Sequence, residues 1–355
     1  MKIGLIGLPK SGKTTIFNAL TGSKAPVAAY TTAKAEPNIA VVNVSDPRVG
    51  RLAELYRPKK TIHATIEVVD FVGLEEARSK ETLSSEVVQL MRNLDALAIV
   101  VRNFESQSAE APRPARDLTM VLEELVLSDL MVLEKRIERI LAARRTQGAG
   151  TAAQQLEAKT LERLREELNQ NQPASALQLT ADEERAIRGF GFLTRKPAIV
   201  VLNSHEANFE KNPELNRELS AGYPLVEFAG NFEMELCQLD PEEAQVFMQD
   251  MNITHSARER LTRVAYQALG YISFFTVGDD EVRAWNLRAG ETALSAAAAV
   301  HSDLARGFIR AECMAYEDLV ALGSEKAVKE KGRLRLEGRD YPVKDGDILT
   351  IRYNV

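Results

Sequence analysis

The sequence predicts an α/β protein: a doubly wound, mostly parallel sheet of the phosphate-loop kind, interrupted by an inserted antiparallel helical hairpin and followed by a smaller strand-rich domain. Three observations carry this. Apolar strands alternate with helices through the first half of the chain, the pattern of stacked βαβ units. From Leu118 to Ile140, apolar residues recur at three- and four-residue steps for roughly six turns with charges between them. Short strand-like runs then return in the tail, near Ser273 to Trp285, at Arg333 to Leu336 and at Ile348 to Tyr353, with a helix around Leu294 to Leu304 between them.

At 355 residues, with 45% hydrophobic content, the chain has the length of roughly two or three ordinary globular domains. No apolar run approaches the roughly 18 residues of a membrane span. The N-terminus enters the first strand without the zones of an export signal, so a cytoplasmic protein with no membrane partner is expected. The cysteines, Cys237 and Cys313, fit a reducing compartment and offer no disulfide framework. The histidines, His63, His205, His255 and His301, are not grouped at zinc-ligand spacing. A net charge of −6 argues against coating nucleic acid through overall charge, and no DNA specificity is expected. Lys326 to Arg335 (KAVKEKGRLR) is either a local basic contact surface or simply a solvated face.

The first strand, Lys2 to Ile6, runs into Gly7-Leu8-Pro9-Lys10-Ser11-Gly12-Lys13-Thr14 and then into a helix. This is the Gly-x-x-x-x-Gly-Lys-Ser/Thr spacing. A polyphosphate must be wrapped by main-chain N–H groups, so such a loop needs glycines at its points of close approach. Pro9, Lys10, Ser11, Gly12, Lys13, Thr14 and Thr15 are therefore expected to hold the phosphates of ATP or GTP. Lys13 reaches the β and γ phosphates, Thr14 offers its hydroxyl to Mg²⁺, and the helix N-terminus faces the anion. A chance match is the alternative, but the strand before the motif and the helix after it are the context the motif requires.

Thr21 to Pro37 reads as a long polar loop. Ile39 to Val44 and Thr65 to Phe71 read as strands, with Pro47 to Tyr56 as a helix between them. The second strand ends in Asp70-Phe71-Val72-Gly73. There Asp70 is placed to hold Mg²⁺ through water, and the Gly73 N–H to meet the γ-phosphate. Ser79 to Leu94 is a helix and Ala96 to Phe104 a strand buried on both faces. After Pro112 and Pro114 comes the long amphipathic helix, then a turn at Thr146 to Thr151, then a second helix at Leu156 to Leu168. The hairpin is either self-packing or a partner surface.

Pro197 to Asn203 and Leu225 to Ala229 complete the sheet. Asn203 with Glu206 makes a base-reading pair, flanked by Ala229, Gly230 and Asn231. Guanine-specific proteins of this layout carry Asp where Glu206 stands and Lys where Ser204 stands, so guanine should bind poorly here. Arg185, Arg188 and Arg195 are too loosely spaced for a kinase lid. The expected division is 1–115 and 181–272 for the two parts of the nucleotide-binding domain, 116–180 for the helical insertion and 273–355 for the tail.

With these residues in place, the whole chain resembles the YchF / Obg-like ATPase family of phosphate-loop proteins. The resemblance is carried by Glu36-Pro37-Asn38, Asp46-Pro47-Arg48, Leu127 to Leu141 and Asn203-x-x-Glu206. In the tail it is carried by Phe274-Phe275-Thr276, Val282 to Trp285, Gly307 to Glu312 and Arg335 to Val355. It implies that the tail is a TGS domain, a ubiquitin-like β-grasp. It also implies ATP in preference to GTP and nucleotide-dependent contact with the ribosome or rRNA through the TGS and helical domains; departures from the family make the expected hydrolysis, and with it the switch, slow. The alternative is a nucleotide-gated binding protein with negligible turnover.

Some positions depart from the family. Lys10-Ser11 replaces Asn-Val, and Lys34 stands where a Mg²⁺-binding threonine is placed, with Thr31 and Thr32 nearby. Lys34 then either supplies charge to the phosphates or points to solvent. Leu74 to Leu83 lacks the glycines of a flexible switch and has helix-forming composition. Leu74 occupies the position of the water-orienting Gln of Ras-like proteins, where the family too is hydrophobic. The expected catalytic set is Lys13, Gly73 and Leu74.

Overall fold

The computed structural model describes residues 1–22, 37–71, 85–106, 110–147, 150–250 and 253–354. The chain forms two compact units, Lys2–Ala40 with Val68–Thr254, and Met1 with Val41–Glu67 and His255–Val355. The strands are β1 (Lys2–Ile6), β2 (Asn38–Asn43), β3 (Lys60–Ile62), β4 (Thr65–Asp70), β5 (Ala96–Asn103), β6 (Ala198–Ser204), β7 (Leu225–Phe228), β8 (Tyr271–Thr276), β9 (Glu281–Arg288), β10 (Phe308–Ala315), β11 (Arg335–Glu337) and β12 (Asp347–Tyr353).

The larger unit is built on a sheet of order β2-β4-β1-β5-β6-β7. β1, β5, β6 and β7 run parallel. The middle strands are apolar from Ala96 to Val101 and from Ile199 to Leu202, and burial continues through Arg102 and Ser204, as a sheet covered on both faces demands. Ile6, Leu97, Ile99, Val101, Val200 and Leu202 share one core with Met91, Leu118, Val121 and Leu125. Because the strands are parallel, Asn203 and Phe228, paired in register, end the sheet on the same side.

The long helix spans Pro114–Gln147, and its partner spans Ala152–Asn169. Thr151 starts the second helix with a reciprocal cap to Gln154. Leu133, Ile137, Leu161, Leu164 and Leu168 fill the hairpin core, and Arg136 meets Glu157 in two bonds of 2.6 and 3.0 Å. Asp129 on the long helix is fully buried. It accepts bonds from the Leu193 and Thr194 N–H groups at 2.8 Å and from Thr194 Oγ1 at 2.7 Å. Burial pushes the Asp129 carboxyl above its ordinary pKa, and those three donors oppose the shift. The contact ties the hairpin to the turn Leu193–Arg195 that leads into β6.

The smaller unit is a sheet of order β11-β10-β12-β8-β9-β3. β8 and β9 form an antiparallel hairpin, β12 lies parallel to β8, and β10 is antiparallel to β12. The helix Ala293–Val300 packs on this sheet through Ala293, Ala296 and Ala297, small enough to seat against Phe274, Leu287, Phe308 and Leu349. The tail strands therefore have the ubiquitin-like β-grasp order.

Three details differ from the sequence expectation. The helix expected near Leu294 to Leu304 breaks at His301, whose extended backbone (φ −165°) ends one helix and caps the next, Ser302–Arg306. The central β10 was not expected as a strand. And β3 is a short strand from far upstream that pairs parallel with β9, Lys60 opposite Glu281. Residues 41–67 thus join the tail unit. Arg48 bonds Asp46 at 2.8 Å and Asp345 at 2.7 Å, and its guanidinium lies 5.1 Å over the Phe275 ring. Within the basic run, Lys326 meets Glu330, Arg333 meets Asp318, and Arg335 meets Asp347 and Tyr341.

Candidate functional site

The loop between β1 and the first helix, Lys13–Thr21, has the backbone of an anion cradle. Gly7 (φ +150°), Lys10 (φ +65°) and Gly12 (φ +90°) lie in the left-handed half of backbone space, and Ser11 N donates to Leu8 O across a tight turn. A Cβ on Gly7 would fall 2.3 Å from Val100 O, so only glycine lets the loop lie this close to β5. No side chain caps the first turn of the helix. Its N–H groups therefore face the loop, where an anion is favoured. Lys13 is buried, and its Nζ donates to Gly7 O at 2.9 Å and Leu8 O at 3.0 Å. Thr15 is buried beside it, Pro9 and Lys10 are exposed, and the buried Ser11 hydroxyl has no hydrogen-bond partner among the described residues.

At the end of β4, Asp70 is fully buried, and Thr14 Oγ1 donates to its Oδ2 at 2.9 Å. Asn38 Nδ2 reaches the same oxygen at 3.4 Å. A hydroxyl and a carboxylate held together beside an anion cradle are hard oxygen donors, the set that suits Mg²⁺ with water and phosphate completing its shell. Among the described residues no cluster of three or more His, Cys, Asp or Glu side chains forms a metal cage. Asn38 is the member that sequence reasoning missed. It lay in the quoted Glu36-Pro37-Asn38 segment, but nothing in its spacing shows that it meets Asp70. Gly73, Leu74, Lys34, Thr31, Thr32 and the Leu74 to Leu83 segment lie outside the described residues.

Asn203, buried at the end of β6, wedges against two glycines. Its Nδ2 donates to Ser11 O at 3.0 Å. A Cβ on Gly12 would fall 2.1 Å from that Nδ2, and one on Gly230 would fall 2.4 Å from the Oδ1. The amide thus locks the phosphate loop to the start of the helix Gly230–Leu236.

Beyond it opens a cavity of about 290 Å³ lined by Phe104, Glu105, Asn203, Ser204, His205, Glu206, Asn231, Phe232 and Glu235. Glu206 and Asn231 are exposed at this cavity, whereas Ala229 is buried with its N–H committed to Glu233. Ser204 Oγ accepts from Asn103 at 2.9 Å and donates to Glu227 at 2.6 Å, so this hydroxyl is spent inside the sheet. Phe104 and Phe232 were not foreseen. They lie just past the strand ends, where an apolar residue reads equally well as core. Of the arginines weighed for a lid, Arg195 is tied to Ala174 O, Leu177 O and Glu184, and Arg185 to Asp182.

A parallel sheet with an anion cradle after its first strand, a carboxylate and hydroxyl pair beside it, and an amide wedge leading to a ring-sized cavity define a phosphate-loop nucleotide-binding protein of the GTPase type. Residues 2–136 match the family described as "50S ribosome-binding GTPase", and residues 271–354 match the YchF-type GTPase C-terminal family, described as a protein of unknown function. Curated relatives named "Ribosome-binding ATPase YchF" are 38% identical in Escherichia coli O157:H7, over all of this chain and 99% of that protein, and 36% identical in Bacillus subtilis, over 99% of each. The solved YchF GTPase of Schizosaccharomyces pombe superposes with a TM-score of 0.86 at 31% identity, over 99% of this chain and 97% of that one. The chain belongs to the YchF family. No helix among the described residues is long and apolar enough to cross a membrane.

Proposed function

We propose that the protein binds ATP, with GTP the weaker ligand, and hydrolyses it slowly as a switch that engages the ribosome or rRNA through its TGS and helical domains. The reading rests above all on the loop from Gly7 to Thr14. Its open amides, buried Lys13 and glycine-lined approach suit a chain of phosphates and little else. The names of the relatives, ribosome-binding ATPases, support the partner and the nucleotide.

In this reading Pro9 to Thr15 hold the phosphates, and Thr14 and Asp70 hold Mg²⁺, which when bound would neutralise charge on the β and γ phosphates. Lys13 exchanges its bonds to the loop carbonyls for bonds to phosphate. The Asn203 wedge keeps the loop in the shape that accepts it, and Gly73 and Leu74 complete the catalytic set. The base enters the cavity of Glu206 and Asn231, with Ala229 and Gly230 behind it and Phe104 and Phe232 offering ring faces. Adenine is favoured because Ser204 is turned into the sheet, leaving no side chain at that position to lie over the ring, and because Glu206 reaches one methylene further than the acid of a guanine site.

Three measurements test this. Side-by-side titration with ATP and GTP should show tighter ATP binding. Phosphate release should exceed that of Lys13→Ala, and release equal to that blank would instead support the nucleotide-gated protein with negligible turnover. Ribosome co-sedimentation should differ between ATP and ADP, and identical pelleting would defeat the switch.

A further inference from the structure

Leu97 and Ala198 pair in register near the start of β5 and β6, at the opposite end of the sheet from Asn203. Between these strand ends and the long helix lies a cavity of about 180 Å³. Its floor is apolar, with Leu97, Leu125, Val126 and Leu193 all buried. Its mouth is polar, with Thr119, Glu123, Asn171 and Ser175 exposed. Protein interiors ordinarily close over a space of this size. Here hydrogen bonds fix the walls apart. Asp129 holds the Leu193 and Thr194 N–H groups at 2.8 Å. Thr194 Oγ1 accepts the Ala174 N–H at 2.9 Å, and Arg195 donates to Ala174 O at 2.7 Å, which anchors the facing wall from Pro173 to Ser175. Lys196 Nζ donates to Arg92 O at 2.9 Å and to Leu94 O at 2.5 Å. Collapse would break these bonds, so the space is preformed, as ligand pockets usually are. Tyr223 also lines it, and the Tyr223 hydroxyl has no hydrogen-bond partner among the described residues.

We propose that this cavity is a second binding site, separate from the nucleotide site, for a small neutral aromatic molecule of about indole size that carries one N–H or hydroxyl. Size and lining give the class. An apolar cavity of about 150 Å³ takes up benzene, so this one admits a ring of that size or slightly larger. Leucine, valine and proline side chains beside one tyrosine ring suit a flat apolar body. Charge is disfavoured in either sign: Lys196 within opposes a cation, and Glu123 at the mouth opposes an anion. The polar atom of the ring gives the Tyr223 hydroxyl the partner it lacks. The occupant touches both arms of the hairpin root and the starts of β5 and β6, so it holds the insertion against the sheet.

The test titrates indole and indole-3-carboxylate by calorimetry into the full chain as wild type, Thr119→Trp, Ser175→Trp and Tyr223→Phe, with urea unfolding of each as the folding control. Thr119 and Ser175 are exposed at the mouth, so a tryptophan at either plugs the cavity from one wall without entering the core, and the two variants guard against a folding defect in one. Indole should bind the wild type, slow hydrogen exchange at Leu193 and Thr194, and raise the thermal midpoint by about 2 °C at ten times its Kd. Each plugged variant should bind it at least about tenfold more weakly, and Tyr223→Phe about threefold more weakly. The carboxylate should bind the wild type at least about tenfold more weakly than indole. Indole that binds the wild type no better than the folded plugged variants, or not at all, overturns the site. A carboxylate that binds as tightly as indole overturns the neutral class, and unchanged affinity in Tyr223→Phe overturns the hydrogen bond.

Discussion

Two glycines of the first helix separate the cost of backbone conformation from the cost of displacing Asn203. Gly12 and Gly22 flank the same helix, at φ +90° and +66°. A Cβ on Gly22 would meet nothing within 4 Å among the described residues, whereas one on Gly12 would fall 2.1 Å from Asn203 Nδ2. Gly22→Ala should therefore cost only the conformational term, about 1 kcal/mol. Gly12→Ala adds the loss of the bond from Asn203 to Ser11 O and the strain of moving a buried amide, for a total of about 2–4 kcal/mol. Urea unfolding of the three proteins measures the stabilities and ATP titration measures the site. The Gly22 variant should bind ATP within about twofold of wild type, and the Gly12 variant at least about tenfold more weakly. Equal stability losses together with unchanged ATP affinity in the Gly12 variant would show that Asn203 does not lock the loop.

The buried Ser11 hydroxyl, without a partner among the described residues, should make Ser11→Ala more stable by about 1 kcal/mol, read from the denaturant midpoint. Asp129→Ala leaves two N–H groups and one hydroxyl without their acceptor and should cost about 2–4 kcal/mol. Hydrogen exchange should then rise at Leu193 and Thr194 before it rises in β6. Burial favours the protonated form of Asp345, but bonds from Arg48 and the Ser273 N–H and the Arg48 charge outweigh it and hold the carboxyl below its ordinary range. Stability from a depressed carboxyl is present above its unfolded pKa and is lost as pH falls through the folded value. The stability gap between wild type and Arg48→Met should accordingly be widest at neutral pH and shrink in acid, as followed by thermal unfolding from pH 7 to pH 3.

The parallel sheet was legible because its strands are unbroken apolar runs, and the phosphate loop because its spacing follows from the ligand it wraps. The hairpin showed in the spacing of Leu118 to Ile140. Other features left no such trace. β10 reads FIRAECMA, with the neighbours Ile309 and Arg310 both exposed and a register shift between Phe308 and Arg310 that disrupts alternation. β3 is only three residues long, and its partner lies in the tail. The inward turn of Ser204 depends on Asn103 and Glu227, neither of them near it in sequence. Asn38 reaches Asp70 only because β2 and β4 are neighbours in the sheet. Spacing along a chain reports local periodicity, and these contacts are set by pairing between distant segments.

The parallel pairing of β3 with β9 bears on how the protein is made and cut. During synthesis Lys60 to Ile62 leaves the exit tunnel long before its partner, so this early piece waits for β9, and the sheet cannot be completed until the last part of the chain arrives. A fragment beginning at Tyr271 would present the outer edge of β9 bare, inviting edge-to-edge association. Grafting the Val41–Glu67 segment onto such a fragment should return it to a monomer.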